Sequence, residues 1–133
     1  MRIAVVTLAA LAATGCMGRA SSGSSDGTSP AANLEISISI RGSEAPTKVW
    51  TLRCPDGGTL PDAAAACRKL GQVQDPFAPV PKDAACPQIY GGPEIADVRG
   101  TFRGHPVATR FSRGNGCEIE RWSRVRFLFP GVS

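Results

Sequence analysis

Leu34-Glu35-Ile36-Ser37-Ile38-Ser39-Ile40 alternates apolar and polar residues with a period of two. Successive side chains on a strand point to opposite faces, so this run predicts a half-buried strand with the leucine and isoleucines turned to a core. Arg41 to Pro46 makes the turn, and Lys48-Val49-Trp50-Thr51-Leu52-Arg53-Cys54 alternates again, which predicts an antiparallel pair. Pro55-Asp56-Gly57-Gly58 is a turn cluster. The alanine-rich stretch from Pro61 to Leu70 predicts a short helix. Thr59 or Pro61 opens it and Gly71 ends it, with Arg68 and Lys69 in the last turn, where cations suit the helix dipole.

Gln72 to Lys82 carries three prolines and no period, and is expected as a loop. Two further strands, Glu94 to Phe102 and Val107 to Phe111, are joined by a tight turn at Arg103-Gly104-His105-Pro106. Arg113-Gly114-Asn115-Gly116-Cys117 is another turn, Glu118 to Ser123 a helical turn, and Val125-Arg126-Phe127-Leu128-Phe129 a closing strand. About five strands and one or two helices make an α+β domain, and no internal repeat is present.

The N-terminus changes where that domain begins. Met1-Arg2 followed by the apolar run Ile3 to Ala13 is too short to span a bilayer as a mature helix and reads as an export signal. It ends in Ala13-Thr14-Gly15-Cys16, small residues before a cysteine, the pattern a bacterial lipoprotein signal peptidase cuts. Cys16 would then become a lipidated first residue; ordinary cleavage and full secretion is the alternative. Up to Asn33 the chain is mostly Gly, Ser, Ala, Thr and Pro with little to bury, so it is expected as a flexible tether with an end-to-end reach of roughly 20–25 Å. The expected division is signal 1–15, tether 16–33 and folded domain 34–133, placing the protein outside the cytoplasm, lipid-anchored to the bacterial cell membrane or secreted.

The chain has 133 residues, so removing signal and tether leaves about 100 for a core, one small domain. Of the five cysteines, Cys54, Cys67, Cys86 and Cys117 lie in that domain and can form two cross-links in any of three pairings. The fifth, Cys16, stands where a lipid would consume its thiol. The net charge of +4 comes with arginines gathered toward the end: Arg99, Arg103, Arg110, Arg113, Arg121, Arg124 and Arg126. In an exported chain these read as a solvated sheet face, and nucleic acid is not expected as a partner. His105 is the single histidine, set in a turn, and the domain cysteines are better used as disulfides. No catalytic residue, metal site or cofactor is expected, and membrane contact is expected only through the lipid anchor.

One segment has neither period nor core role. Ala85-Cys86-Pro87-Gln88-Ile89-Tyr90 places a cysteine able to anchor it and a proline with φ fixed near –65° before two large side chains in an extended run. It reads as a presented peptide. Taken with Trp50-Thr51-Leu52-Arg53-Cys54, Cys67-Arg68-Lys69-Leu70, Asn115-Gly116-Cys117-Glu118 and the terminal Phe127-Leu128-Phe129, it resembles the Streptomyces subtilisin inhibitor family over about Leu34 to Phe129.

The resemblance implies a five-stranded antiparallel sheet with helices packed on one face, disulfides Cys54–Cys67 and Cys86–Cys117, and homodimers that pair through their sheets. It further implies inhibition of an extracellular subtilisin-like serine protease by a substrate-like loop. Gln88 matches the primary specificity residue and Ile89 the residue after the scissile bond, with Ala85, Cys86, Pro87 and Tyr90 flanking them. Asn115 matches an amide that braces the loop from behind; a turn residue before glycine is the other reading. Two departures stand out. Gln88 replaces the usual large apolar or basic residue, and Gly91-Gly92 replaces a stiffer segment and is expected to loosen the far side of the loop. The alternative function is a non-inhibitory, tethered interaction domain of the same fold in the cell envelope.

Overall fold

The alternating run forms the central strand of an antiparallel sheet, β1 (Ala32–Ile40), in a computed structural model that describes residues 29–132. The export signal, Cys16 and the tether through residue 28 lie outside the described residues. β2 (Lys48–Arg53) and β3 (Gly57–Gly58) lie on one side of β1, and β4 (Gly92–Phe102) and β5 (His105–Arg113) on the other, in the order β3-β2-β1-β4-β5. α1 (Ala63–Gln72) follows β3, and α2 (Gly116–Arg124) follows β5 and runs into a 3-10 turn at Arg126–Leu128.

The period of two fixes the register. Ile36 sits opposite Trp50 on one side and Val98 on the other, and Leu34 opposite Leu52 and Gly100. A one-residue slip would carry Leu34, Ile36 and Ile38, all essentially inaccessible, onto the solvent face. These residues, with Leu52, Ala96, Val98 and Phe111, face Ala66, Cys67 and Leu70 of α1, Trp122 of α2, and Val125, Leu128 and Phe129. The core therefore lies between one sheet face and the two helices. Cys54–Cys67 staples α1 to the end of β2 within it.

The other sheet face carries Glu35, Ser37, Ser39, Asp97, Arg99 and Arg110, and with the β1–β2 turn it lines a polar hollow of about 380 Å³. Arg110 and Asp97, directly opposite across β4 and β5, form a two-pronged ion pair at 2.8 and 3.0 Å. Hydrogen bonding and attraction to Asp97 raise the Arg110 pKa further above its ordinary value.

The α+β class, the five-stranded antiparallel sheet and both disulfide pairings are present, but several elements differ from expectation. The fifth strand is the glycine pair expected as a turn. A Cβ on Gly58 would lie 2.2 Å from the Thr51 carbonyl oxygen, so only glycine lets the chain fold back against β2 there. The run Val125 to Phe129, expected as a closing strand, is instead a 3-10 turn that continues the apolar side of α2: Trp122, Val125 and Phe129 are buried at helical spacing. A short apolar run does not distinguish strand from helix by its period.

Gly71 does not end α1, which runs on to Gln72 and stops where Val73 turns extended. Its N-terminal boundary is Asp62, not Thr59 or Pro61. β1 begins at Ala32, ahead of the domain start placed at Leu34, because the Cys54 amide bonds the Ala32 carbonyl and the Arg103 amide that of Ala31. The β4–β5 hairpin turns on Arg103 and Gly104 alone, both at positive φ, the conformation a two-residue hairpin of this twist requires.

Candidate functional site

Between α1 and β4 the chain runs almost without regular structure. Within it Ala85, Pro87, Gln88, Ile89 and Tyr90 are exposed, while Cys86 is half-buried. Ile89 and Tyr90 leave 57% and 64% of their surface in solvent, an arrangement that core formation does not account for.

This exposed segment is held at three points, all supplied by the single stretch from Arg113 to Cys117. The first is covalent: Cys86 is bonded to Cys117 in the opening turn of α2. The second is the Pro87 carbonyl, which accepts the Gly116 amide at 2.8 Å and the Ile89 amide at 2.9 Å, so that both lone pairs are used. The Ile89 bond closes a three-residue turn with Gln88 at its apex. The segment is thus bent at Gln88 and is not the uninterrupted extended run expected from sequence. Gly116 also lies under the Pro87 ring, where a Cβ would meet ring carbons at 3.0 Å. The ring seats directly on the start of the helix.

The third point is the exit. The Gly91 amide donates to the Arg113 carbonyl at 2.7 Å, and Gly92 is registered opposite Arg113 as β4 begins. A Cβ on Gly91 would come to 3.0 Å from Ile119 and from Arg113 Cβ, and one on Gly92, at φ 144°, would lie 2.6 Å from the Arg113 guanidinium and the Glu94 carboxylate. The two glycines do not loosen the far side of the loop; they allow it to lie flat beneath an ion pair. That pair, Arg113 with Glu94, is largely shielded from solvent, and the Arg113 guanidinium also lies over the Trp122 ring at 5.4 Å. Burial acts to raise the Glu94 pKa, but hydrogen bonds from Arg113 and from its own backbone, with the Arg113 charge, outweigh it and hold the carboxyl below its ordinary value. Glu94 is therefore ionised at neutral pH and keeps Arg113 in place.

Two of the side chains singled out in the sequence make local hydrogen bonds. Asn115 caps α2: its Oδ1 accepts the Glu118 amide at 3.0 Å. The amide that reaches the loop belongs to the next residue, Gly116. Gln88 folds back along its own backbone, Nε2 donating to the Cys86 carbonyl at 3.2 Å. Sequence reasoning missed Gly116, Arg113 and Ile119 as loop supports, and the only local signal was the Asn-Gly pair ahead of Cys117.

A family model described as subtilisin inhibitor-like matches residues 30–115. The chain belongs to the subtilisin inhibitor-like family. Membership places it in a class of protease inhibitors rather than among enzymes. The match covers the loop and the whole sheet; Cys117 and the rest of α2 lie beyond it. No curated protein matches the chain. Among solved structures, it is similar to one described as Streptomyces caespitosus sermetstatin in complex with Bacillus licheniformis subtilisin. The two share 21% identity over 74% of this chain and 96% of that one, with a TM-score of 0.49.

Proposed function

We propose that this subtilisin inhibitor-like protein blocks a subtilisin-like serine protease by presenting Ala85 to Tyr90 as a substrate, with Gln88–Ile89 as the reactive bond. The observation that carries the reading is the fixation of Pro87, whose carbonyl is held by two amides and whose ring is seated on Gly116, while the three residues after it stay exposed. A protease takes up such a segment edge-on, as an added strand. Because the backbone is already ordered, little entropy remains to be lost on binding. Cutting the bond would leave the new carboxylate end tethered through Cys86–Cys117 and the new amine end through Gly91 to Arg113. Neither end can diffuse away, so resealing competes with release and the complex persists.

The test is a titration of a subtilisin-class protease with the purified domain. A saturable, stoichiometric loss of activity is expected, abolished in Gln88→Pro, where the ring replaces the side chain meant for the protease pocket. An unaffected panel of serine proteases would leave the alternative, an interaction domain of the same fold.

The inhibitor is further proposed to act at the cell surface, held by lipid on Cys16 and spaced by the tether. Palmitate label incorporated by the wild type and absent from Cys16→Ala is the expected result; equal labelling of both would sink the anchor. Pairing of two copies through their open sheet faces would bring Glu35, Asp97, Arg99 and Arg110 together. Such a dimer would rest on polar contacts and weaken with salt.

A further inference from the structure

We propose that Arg121, assisted by Arg124, is a positioning residue for the loop: it fixes the entry side, ahead of Cys86, which the three clamps described above do not reach. Arg121 is the one buried charged residue among the described residues, 7% exposed. Its nearest carboxylate, Glu118, is 3.4 Å away, so its charge is satisfied mostly by other means. Nη1 donates to the Arg110 carbonyl at 2.6 Å, Nη2 to the Thr109 hydroxyl, and Nε to the Ala78 carbonyl at 2.7 Å, while the guanidinium lies 4.0 Å from the Phe111 ring centre.

Two of those partners belong to β5, already fixed by the sheet. Ala78 is different. It lies 43 residues away in sequence, in the proline-rich run that belongs to no helix or strand. The planar fork of the guanidinium, with five N–H donors in fixed directions, lets one side chain bond the sheet and this run at once. One turn further along α2, Arg124 donates to the Gln74 carbonyl, and between the two carbonyls Phe77 sits edge-on to Phe102 with ring centres 5.3 Å apart. Residues 74–78 are thereby tied to the same helix that carries Cys117. The span free to move ahead of the disulfide is cut to the residues between Ala78 and Cys86. Without these bonds it would extend back to Val73, at the end of α1. A longer free span means more disorder to lose on binding and a less constrained scissile bond.

The inference rests on the inhibitor reading for its consequence and not for its geometry, so the experiment has two arms. Hydrogen–deuterium exchange on Arg121→Met, Arg124→Ala and the wild type reads the geometry. Met fills the site with an apolar side chain and removes the cost of a buried charge, so a purely structural role predicts a stable protein with an undisturbed loop. We expect instead faster exchange across residues 74–90 with β1 and β4 unchanged, in both variants and more strongly in Arg121→Met. Wild-type exchange across that span would overturn the proposal. Should Arg121→Met not fold, Arg124→Ala, on an exposed residue, decides by the same criterion. In the second arm, both variants should inhibit less tightly, roughly tenfold for Arg121→Met, and be cut faster at Gln88–Ile89. A wild type that inhibits nothing removes the inhibitor reading and leaves the exchange result standing. A wild type that inhibits, with variants of equal affinity and cleavage rate, overturns the positioning role in inhibition.

Discussion

Replacing Cys86 and Cys117 together with serine is expected to convert the protein from an inhibitor into an ordinary substrate. The bridge joins residues 31 apart. In the loop-closure description its loss releases about 3–4 kcal/mol of unfolded-state entropy, enough to lower the melting temperature of a domain this size by roughly 15–25 °C. The functional consequence is larger than the stability loss. Without the bridge, the Pro87 carbonyl keeps only hydrogen bonds to hold it, and a cleaved loop no longer has its carboxylate end covalently tied. Cleavage at Gln88–Ile89 should then go to completion. The companion variant, Cys54→Ser with Cys67→Ser, separates the two effects: it opens a bridge across only 13 residues, costs about 3 kcal/mol on the same reckoning, and lies away from the loop. At a temperature where both variants are folded, activity titrations and mass analysis of the digest should show inhibition retained in the second and lost in the first. Inhibition surviving removal of Cys86–Cys117 would overturn the account of how the loop is held.

Gln88→Leu is expected to tighten inhibition of a subtilisin-class protease by about one to two decades. Two terms act in the same direction. Carrying the Gln88 amide into an apolar specificity pocket without full hydrogen bonding costs roughly 1–3 kcal/mol, and a decade of affinity corresponds to about 1.4 kcal/mol. In addition, the amide occupies the Cys86 carbonyl in the free loop, an acceptor that edge-on strand pairing with a protease would use. Leucine removes both the desolvation and the competition. Because Gln88 is exposed and its side chain touches only its own loop, the melting temperature should not move. Inhibition constants for wild type and variant decide the matter, and equal constants would mean that Gln88 does not enter the pocket.

The period of two in Leu34 to Ile40 determined, without further help, a strand and its buried face, because a side-chain period matched to a pleated strand turns Leu34, Ile36 and Ile38 to one side; its central place in the sheet, and the exposure of Ile40 at its end, came from the tertiary structure. Turn chemistry located the β4–β5 hairpin, and cysteine order with the Cys-Pro-Gln-Ile-Tyr segment carried the family and the place of the loop. Where local preference was weak, tertiary packing decided. Val125 to Phe129 has strand-like residues, yet its burial follows helical spacing against Phe111 and the sheet, with Trp122 and Phe129 rings 4.5 Å apart. Gly57–Gly58 has turn-like residues, yet the open edge of β2 draws it into the sheet.

The supports of the loop were the least legible part. Arg121 looked like one more solvated arginine, and nothing local marks a guanidinium whose partners lie 11, 12 and 43 residues away. Gly91 and Gly92 looked like slack, because the close approach of Arg113 and Ile119 that makes them necessary comes from a different strand and a helix. By itself the sequence determined which residues would be presented, since exposure of Gln88, Ile89 and Tyr90 follows from a cysteine, a proline and the lack of any period around them. How rigidly they are presented was decided only in three dimensions, because every hydrogen bond that holds Pro87 and Gly91 to the rest of the molecule comes from a segment more than 20 residues further along the chain.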